Sequence, residues 1–275
     1  MTMRALILAS AIALAVLALL PVSSFAQSPP APTEVTFPSG NLTLHGFLYK
    51  PEGKGPFPAV LWNHGSEKRP GWLPELAPFF TSHGYILFIP HRRGQGRSPG
   101  EYVMDQLERA AQSGGASARS KMLVEVMELH LQDQIAALNY LKSVPDVDPQ
   151  HIAVAGCSFG GIQTVLMAGK GLGLRTAVDF AGAAQAWDNA PDLRKRMTEA
   201  VQQAQMPVFF IQAKNDYDTS PSRDLAAAME KSSKPHALQI FPNFGKTHQE
   251  AHEFCIHGSD IWGPAVLHFL AQAMK

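Results

Sequence analysis

The hydrophobic positions of this chain follow two patterns, one near the start and another over the rest. Apolar and polar residues alternate in Val35–Phe37 and in Leu42–Tyr49, on either side of the turn-forming sequence Pro38–Asn41. This predicts two antiparallel strands joined as a hairpin. Later apolar runs alternate little, which is typical of strands buried on both faces of a parallel sheet. These six runs are Ala59–Trp62, Ile86–Ile89, Ile152–Ala155, Thr176–Phe180, Val208–Ile211 and Ala237–Phe241.

Segments with the apolar period of a helix separate these runs. Because strands and helices alternate, we predict an α/β fold with a doubly wound, mostly parallel sheet that follows the antiparallel hairpin. We expect one domain that covers residues 34–275, a size ordinary for a single α/β core. The predicted helices are Leu73–His83, Ser120–Leu141, Phe159–Lys170, Asp188–Ala204, Ser222–Lys231 and Ser259–Met274.

The stretch Glu101–Arg119 interrupts this alternation. It contains Ser113–Ser117, a run of small residues with two glycines. Two interpretations stay open: a small lid over a site, or a plain surface loop that leads into the helix from Ser120.

The start of the chain has the pattern of an export signal. Arg4 precedes the apolar run Ala5–Leu20, and Ser24–Ala26 has the small residues that signal peptidase accepts. The apolar run is shorter than the roughly 20 residues of a membrane-spanning helix. We therefore expect residues 1–26 to be a cleaved signal peptide, residues 27–33 to be an extended Pro-rich lead-in, and the protein to be periplasmic or extracellular.

Charge and cysteine content narrow the classes of partner. The chain has 23 basic and 23 acidic residues, so it lacks the basic surplus of a nucleic-acid-binding protein. It has only two cysteines, Cys157 and Cys255, and is not a disulfide-rich scaffold. We expect a small molecule as its partner.

Ser158 lies at the centre of Gly156-Cys157-Ser158-Phe159-Gly160, a G-x-S-x-G pattern. A nucleophilic serine has to be lifted clear of its sheet, and a sharp strand-to-helix turn does this where glycines leave room. The predicted strand Ile152–Ala155 precedes the pattern, and a predicted helix follows it. We therefore interpret Ser158 as a nucleophile rather than as part of a packing turn.

A nucleophilic serine requires a histidine base, and that histidine requires a carboxylate to fix its tautomer and stabilise its charged form. Where such a turn is catalytic, the acid and then the histidine follow it along the chain. The strand Val208–Ile211 runs into two carboxylates, Asp216 and Asp218. We favour Asp216, which lies nearer the strand, and expect Asp218 to cap the next helix.

Three histidines follow the last predicted strand. We favour His252 as the base because Glu-Ala-His-Glu-Phe is similar to the Glu-Gly-His-Gly-Phe form often found in such a loop. His248 is the second candidate, since position alone does not decide between them. We expect His257 to be a surface or structural residue.

The sequence contains weak signals for a zinc site and for a phosphate-binding loop. The three histidines suggest zinc, but Gly245 and Lys246 predict an irregular loop and no His-Glu-x-x-His occurs. The segment Pro90–Ser98 has two closely spaced glycines but no third one in the register of a phosphate-binding loop. We interpret it as a tight loop near the site and expect neither a metal nor a cofactor.

An acyl-transfer site also needs hydrogen-bond donors for the oxyanion. One is expected from the backbone N–H of Phe159, which follows the nucleophile, and the other from the loop after an earlier strand. In Asn63–Glu67 the N–H of Ser66 is the best candidate. His64 is interpreted as a residue that orients this loop.

These residues together resemble the α/β-hydrolase superfamily and, within it, the esterases similar to dienelactone hydrolase and prolyl oligopeptidase. The resemblance covers roughly Val35 to Leu270. It implies a Ser158–His252–Asp216 triad and hydrolysis through an acyl-enzyme without a cofactor. It rests on His64-Gly65, Arg93-Gly94-x-Gly96-x-Ser98, Gly156-x-Ser158-x-Gly160, Asn215-Asp216 and Ala251-His252.

One departure concerns the nucleophile. Dienelactone hydrolases proper have cysteine at that position, whereas here the cysteine lies one residue earlier, at Cys157. A neighbour of the apical residue points elsewhere, so we interpret Cys157 as a buried packing residue. Because Cys255 lies three residues beyond His252, a disulfide between the two cysteines stays open.

The leading hypothesis is a secreted serine hydrolase for small or medium carboxylic esters. A peptidase or amidase with the same triad is the second hypothesis, and the short chain favours esters. A non-catalytic binding protein of the same fold is the third, against which the combination of Ser158, Asp216 and His252 argues.

Overall fold

The computed structural model describes residues 31–275. Within them the chain forms one sheet of eight strands in the order β1-β2-β4-β3-β5-β6-β7-β8. The strands are β1 Thr33–Ser39, β2 Leu42–Tyr49, β3 Phe57–Asn63, β4 Ile86–Pro90, β5 Val147–Cys157, β6 Thr176–Phe180, β7 Val208–Ala213 and β8 His236–Phe241. The helices are α1 Ala77–Ser82, α2 Val103–Ser143, α3 Phe159–Ala168, α4 Pro191–Gln203, α5 Ser220–Lys231, α6 His248–His252, α7 Phe254–His257 and α8 Ser259–Ala273.

The sheet is mostly parallel, as the sequence predicts. β1 pairs with β2 and β2 pairs with β4 in antiparallel register, and all strands from β4 through β3 to β8 run parallel. Gly40, at φ +58°, lies in the two-residue turn between β1 and β2. The doubly wound α/β prediction and its leading hairpin are confirmed.

Hydrophobic residues pack on both faces of the sheet. One face is covered by α2, α3, α4 and α5 and contains residues such as Phe88, Leu131 and Phe210. The other face is covered by α1 and α8 and contains Trp62, Phe180 and Trp262. Because the central strands are buried on both sides, their carboxyl ends form a rigid edge from which the following loops project.

The sixth predicted buried strand, Ala237–Phe241, is not fully buried. It corresponds to β8, which pairs only with β7 at the edge of the sheet, and Leu238 is 38% exposed. An edge strand has no neighbour to cover its outer side, so apolar content alone overestimates its burial.

The surface-loop interpretation of residues 101–119 is wrong, because most of this stretch is helical, and the small-lid interpretation stays a prediction. α2 begins at Val103 and continues past Gly114 and Gly115, whose backbone angles are not helical and produce a kink. Glycine adopts such angles at little steric cost, and Gly115 has φ +66°. The residues Val103, Leu107 and Ala110 are buried at helical spacing, a signal that the glycine pair obscured.

No helix within residues 31–275 combines the length and apolar character needed to span a membrane. The predicted signal peptide, residues 1–26, and most of the predicted lead-in lie outside the described residues. The described part of the lead-in ends in β1, which begins at Thr33, one residue before the domain start we expected.

Candidate active site

Ser158 lies at the turn between β5 and α3, with φ 58° and ψ −119°. A positive φ is unfavourable for a residue with a Cβ atom, so the surrounding structure has to hold this conformation in place. The Ser158 N–H donates a hydrogen bond of 3.0 Å to the carbonyl oxygen of Phe180, at the end of β6. The turn is thereby attached to the neighbouring strand, and Ser158 lines a cavity at the carboxyl edge of the sheet.

The two glycines that flank Ser158 are required by close packing. A Cβ atom on Gly156 would lie 2.5 Å from the Gly160 carbonyl oxygen, and a Cβ atom on Gly160 would overlap the Asn63 carbonyl group. Neither contact can be relieved by a flexible side chain, since both partners are backbone. The G-x-S-x-G spacing is therefore a steric requirement of this turn.

His252 and Asp216 are in direct contact. His252 Nδ1–H donates to Asp216 Oδ1 at 2.9 Å and lies 3.1 Å from Oδ2, and both residues are less than a tenth exposed. Because a carboxylate only accepts hydrogen bonds, this contact fixes the proton on Nδ1 and leaves Nε2 unprotonated in the neutral ring. Within residues 31–275, the buried Nε2 atom has no hydrogen-bond partner, so its lone pair is free to accept a proton.

Asp216 is oriented by a second layer of hydrogen bonds. Gln212 Nε2 donates to Asp216 Oδ2 at 3.0 Å, and the Tyr217 N–H donates to Oδ1 at 2.6 Å. Ser222 Oγ in turn donates to Gln212 Oε1 at 2.9 Å, which fixes the direction of that amide. Sequence reasoning missed Gln212, although a glutamine inside an otherwise apolar buried strand is a detectable signal.

The alternative acid and base lie elsewhere. Asp218 Oδ1 accepts a 2.8 Å hydrogen bond from the N–H of Ser220, the first residue of α5, but the N-cap of this helix is Thr219, so Asp218 is not the helix cap that we expected. His248 is exposed, and its Nδ1–H donates to the Asn215 carbonyl oxygen at 2.8 Å. The structure thus brings Ser158, Asp216 and His252 to one place and leaves Asp218 and His248 outside it.

The histidine-bearing segment is helical, not irregular as we predicted. α6 starts with a capping box in which Thr247 Oγ1 accepts from the Glu250 N–H and the Glu250 carboxylate accepts from the Thr247 N–H. The Thr-x-x-Glu spacing is the sequence signature of this cap. We missed it because Gly245 and Lys246, directly before it, suggested an irregular loop. Among residues 31–275, no group of three or more His, Cys, Asp or Glu side chains is arranged to hold a metal ion.

The two expected oxyanion donors belong to different segments, the start of α3 and the loop after β3. Phe159 is the first residue of α3, so its N–H has no partner within the helix. Ser66 lies in the loop after β3 and lines the same cavity as Ser158 and His252. The Tyr102 hydroxyl donates to the Ser66 carbonyl oxygen at 2.7 Å and anchors this loop from α2.

Arg92 orients the peptide group that carries the Ser66 N–H. Its guanidinium group is completely buried and donates to the carbonyl oxygens of His64, at 2.8 Å, and of Gly65. The Gly65 carbonyl and the Ser66 N–H belong to one planar trans peptide and point in opposite directions. A cationic donor on the carbonyl side therefore fixes and polarises the N–H on the opposite side.

The charge on Arg92 persists despite its burial. Desolvation lowers the pKa of Arg92 to about 10, against smaller opposing effects of the Glu67 and Asp133 carboxylates, so the group stays protonated at neutral pH. His64 is kept neutral because burial, followed by the Arg92 charge, lowers its pKa well below the usual value. Sequence reasoning missed Arg92 because we interpreted residues 90–98 only as a tight loop.

A disulfide joins Cys157 to Cys255. The disulfide that the sequence left open is therefore present, and Cys157 is not only a buried packing residue. The bond connects the residue before Ser158 to the segment that follows His252, and each sulfur atom lies 3.7 Å from the His252 carbonyl oxygen. The disulfide thus links the turn that carries Ser158 to α7, the helix that follows His252.

A cavity of about 420 Å³ opens onto these groups. Trp62, Leu73 and Ile256 form apolar parts of its wall, and Gln185, Gln249 and Glu253 form polar parts. Its size falls in the range of small-molecule sites, which combine apolar walls with a few polar groups.

The mostly parallel sheet, with a strained serine at the strand-to-helix turn beside a paired histidine and carboxylate, defines the class of α/β hydrolases. The sequence profile of the Dienelactone hydrolase family matches residues 44–256. Since this match covers most of the chain, the protein belongs to that family.

Individual relatives are more distant. Over 134 residues the chain is 27% identical to the quorum-quenching protein AidA of Acinetobacter baumannii, an alignment covering 48% of this chain and 38% of that protein. Over 159 residues it is 27% identical to the polyketide transferase grgF of a Penicillium species, covering 58% and 47%. The chain therefore spans less than half the length of these two relatives.

Among solved structures, the acylaminoacyl peptidase of Pyrococcus horikoshii has the same fold. The two superpose with a TM-score of 0.69 at 18% sequence identity, over 89% of this chain and 42% of the peptidase. This likeness concerns the fold alone.

Proposed function

We propose that this protein is a serine hydrolase that cleaves carboxylic esters through an acyl-enzyme on Ser158. The observation that carries the proposal is that Ser158 and His252 line the same cavity. The Nδ1–H of His252 donates to Asp216, and its Nε2 atom has no hydrogen-bond partner within residues 31–275. Membership of the dienelactone hydrolase family supports hydrolytic chemistry.

The chemistry proceeds in two half-reactions. His252 Nε2 takes the proton of the Ser158 hydroxyl as Oγ forms a bond to the ester carbonyl carbon, and the resulting oxyanion accepts hydrogen bonds from the Phe159 and Ser66 N–H groups. The carbon–oxygen bond to the alcohol then breaks, and the imidazolium returns its proton to the leaving alkoxide. Water attacks the acyl-enzyme by the same route and releases the acid.

Asp216 stays ionised throughout and stabilises the imidazolium that forms twice in each cycle. Ser158 and His252 are not hydrogen-bonded to each other, since His252 Nε2 has no partner within residues 31–275. Such contacts commonly tighten only when substrate is bound.

Ser158→Ala tests the proposal. We expect turnover of a p-nitrophenyl ester to fall to background while the thermal melting temperature changes little. Ser143→Ala is the matched control, since Ser143 is exposed and its hydroxyl bonds only to the Tyr140 carbonyl within α2. Undiminished turnover in Ser158→Ala would rule the proposal out.

Ester preference over amide is tested on matched substrates. Comparing kcat/KM for an ester and an amide with the same acyl group measures it directly. An amide turned over at least as fast as its ester would assign the site to peptide or amide substrates instead.

We also propose that the protein acts outside the cytoplasm. The export pattern of residues 1–26 supports this, and so does the Cys157–Cys255 disulfide, since such bonds persist mainly in oxidising compartments. Expression of the full chain followed by fractionation and amino-terminal sequencing tests it. Export with a new terminus near Gln27 is expected, and retention of Met1 in the cytoplasm would contradict it.

A further inference from the structure

The charged groups that line the active-site cavity have one sign. Among its described lining residues are the carboxylates of Glu67 and Glu253, and no lysine or arginine. The remaining titratable groups of the wall are the histidines His64, His252 and His257. At neutral pH the cavity therefore presents negative charge to whatever enters it.

Glu67 belongs to the oxyanion side of the cavity. Its side chain folds back over Gly65, so that a Cβ atom built on Gly65 would lie 2.6 Å from one carboxylate oxygen and 2.8 Å from the other. The carboxylate is thus close to the peptide group that carries the Ser66 N–H. Its charge acts against an anionic reaction centre, whereas the buried Arg92 cation behind the same peptide group, which interacts with Glu67, acts in favour of one.

Glu253 belongs to the opposite side, next to His252 in sequence. Its Oε1 atom accepts a 2.7 Å hydrogen bond from Gln249 Nε2, and Gln249 Oε1 accepts one of 2.9 Å from the Tyr217 hydroxyl. This chain of hydrogen bonds orients the Glu253 carboxylate, between α6 and α7, and leaves its second oxygen available to a ligand.

Three cations, Lys68, Arg69 and Arg92, lie close to this loop but are not among the residues that line the cavity. Lys68 Nζ lies 3.6 Å from Asp105 Oδ2 and over the Tyr102 ring, which directs it toward α2. Arg92 is completely buried behind the oxyanion loop, and its donors are used on carbonyl groups. Arg69 is exposed beside Pro70, and within the described lining residues no lysine or arginine faces the cavity.

We propose that the ester hydrolysed at this site carries a cationic group, such as an ammonium, and that Glu67 and Glu253 select it. This rests on the function proposed above and specifies its substrate. A narrow cleft with charges of one sign concentrates ligands of the opposite sign and raises their rate of capture by tenfold or more. An ester with its own carboxylate meets repulsion from both walls and finds no cation to bind it.

The test uses pairs of substrates that differ only in charge, together with one anionic ester. On the acyl side these are p-nitrophenyl trimethylammoniobutanoate, its uncharged carbon isostere p-nitrophenyl dimethylhexanoate, and the p-nitrophenyl monoester of glutarate. On the alcohol side they are acetylcholine and its uncharged isostere dimethylbutyl acetate. The assay is run near pH 8, where imidazoles of ordinary pKa are neutral.

We expect the cationic ester of at least one pair to exceed its isostere about tenfold in kcat/KM at low salt, and the glutarate ester to be the poorest acyl substrate. Raising ionic strength to about 0.5 M should shrink the preference, because partly exposed charges are screened. Equal rates for charged and uncharged esters in both pairs, or a preference for glutarate, would overturn the proposal.

Variants assign the preference to these two residues. Glu67→Gln and Glu253→Gln should each reduce the ratio of cationic to uncharged kcat/KM severalfold. Glu199→Gln removes the same charge from the exposed side of α4 and should leave the ratio unchanged. A ratio that stays at the wild-type value in both cavity variants would show that other groups set it.

Fluorophosphonate labelling separates the two proposals. If Ser158 is not labelled and no ester is turned over, the proposed function fails. If Ser158 is labelled and the uncharged esters are turned over as well as the cationic ones, only the charge selection fails.

Discussion

Two walls meet at Ser158, and different physical interactions hold them in place. The wall after β7 and β8 brings Asp216 and His252 together by short hydrogen bonds and is linked to the nucleophile turn by the Cys157–Cys255 disulfide. The wall after β3 and β4 carries the Ser66 N–H and is held by Arg92, a buried cation that donates to the backbone carbonyl groups of His64 and Gly65 and to the Gln95 side chain. The first wall carries the groups that move protons, and the second carries groups that stabilise charge.

The two walls should therefore respond differently to mutation. On the first wall, replacing Asp216 leaves His252 without the group that fixes its proton on Nδ1, so proton transfer itself should fail. On the second wall, the peptide that carries the Ser66 N–H would remain but lose its fixed direction. We therefore expect mutations on the first wall to have larger effects on turnover.

The largest effect is expected for Asp216→Asn. An asparagine has no negative charge to stabilise the imidazolium, and its amide N–H can donate to Nδ1 and leave the ring in the wrong tautomer, so kcat should fall by about 10⁴, the size seen when this contact is changed in other serine hydrolases. Asp218→Asn, which alters a carboxylate that bonds to the Ser220 N–H and not to His252, is the control and should change kcat little. Steady-state kinetics on a p-nitrophenyl ester measure both, and comparable losses would contradict the assignment of Asp216.

Removing the disulfide should mainly affect stability. The two cysteines are 98 residues apart in sequence, and cross-linking a loop of about that length stabilises a fold by up to about 5 kcal/mol through the unfolded state. The double variant Cys157→Ala/Cys255→Ala should therefore lose a few kcal/mol in free energy of unfolding, measured by urea denaturation. If it unfolds at the same urea concentration as the wild type, the link has no stabilising role.

Arg92→Lys should weaken the other wall. A lysine cannot donate to the carbonyl groups of His64 and Gly65 with the same planar geometry, so the Ser66 N–H should lose its orientation. We expect kcat to fall about 10²-fold with a small change in KM, as when one oxyanion donor is removed. Arg97→Lys, at an exposed ion pair with Glu34, is the matched control. A change confined to KM would contradict the role assigned to Arg92.

The smallest effect concerns pH and Asp179, a buried residue of β6 behind the nucleophile turn. Burial raises the pKa of Asp179 to about 7, although the Gly182 N–H that bonds its Oδ1 acts in the opposite direction. The folded state therefore holds this proton more tightly than the unfolded chain. The stability that the protonated group contributes is complete below about pH 4 and is lost as pH rises through about 7.

Asp179→Asn removes this titration. Between pH 5 and pH 7 the wild type should lose about 2 kcal/mol relative to the variant, by the linkage between pKa and stability. Denaturation curves at the two pH values measure the difference. Parallel pH dependence in both proteins would show that Asp179 does not titrate in this range.

The sequence predicts the sheet well because its central strands are buried on both faces and leave an unbroken apolar record, as in Val208–Ile211. It predicts residues 101–119 badly because Gly114 and Gly115 break the pattern of α2 without ending it. The burial of β8 was overestimated for a different reason. Whether an apolar strand lies at the edge or in the centre of a sheet depends on its neighbours, and the sequence of the strand alone does not show them.

The residues of the candidate site likewise include some that the sequence predicts and some that it does not. Ser158, Asp216 and His252 follow from the chemistry that a nucleophile needs and from chain order. Arg92 and Gln212 act on backbone or on another side chain, from loops and strands far apart in sequence, and no motif marks them. Whether Cys157 and Cys255 are close enough to bond likewise depends on the tertiary fold.

The most direct test of the central claim is mass spectrometry after labelling with a fluorophosphonate, which reacts only with an activated serine. We expect one adduct on the peptide that contains Ser158, and its loss in Ser158→Ala and strong reduction in Asp216→Asn. Absence of an adduct on the folded wild-type protein, or labelling at another serine that persists in Ser158→Ala, would contradict the assignment of Ser158 as the nucleophile.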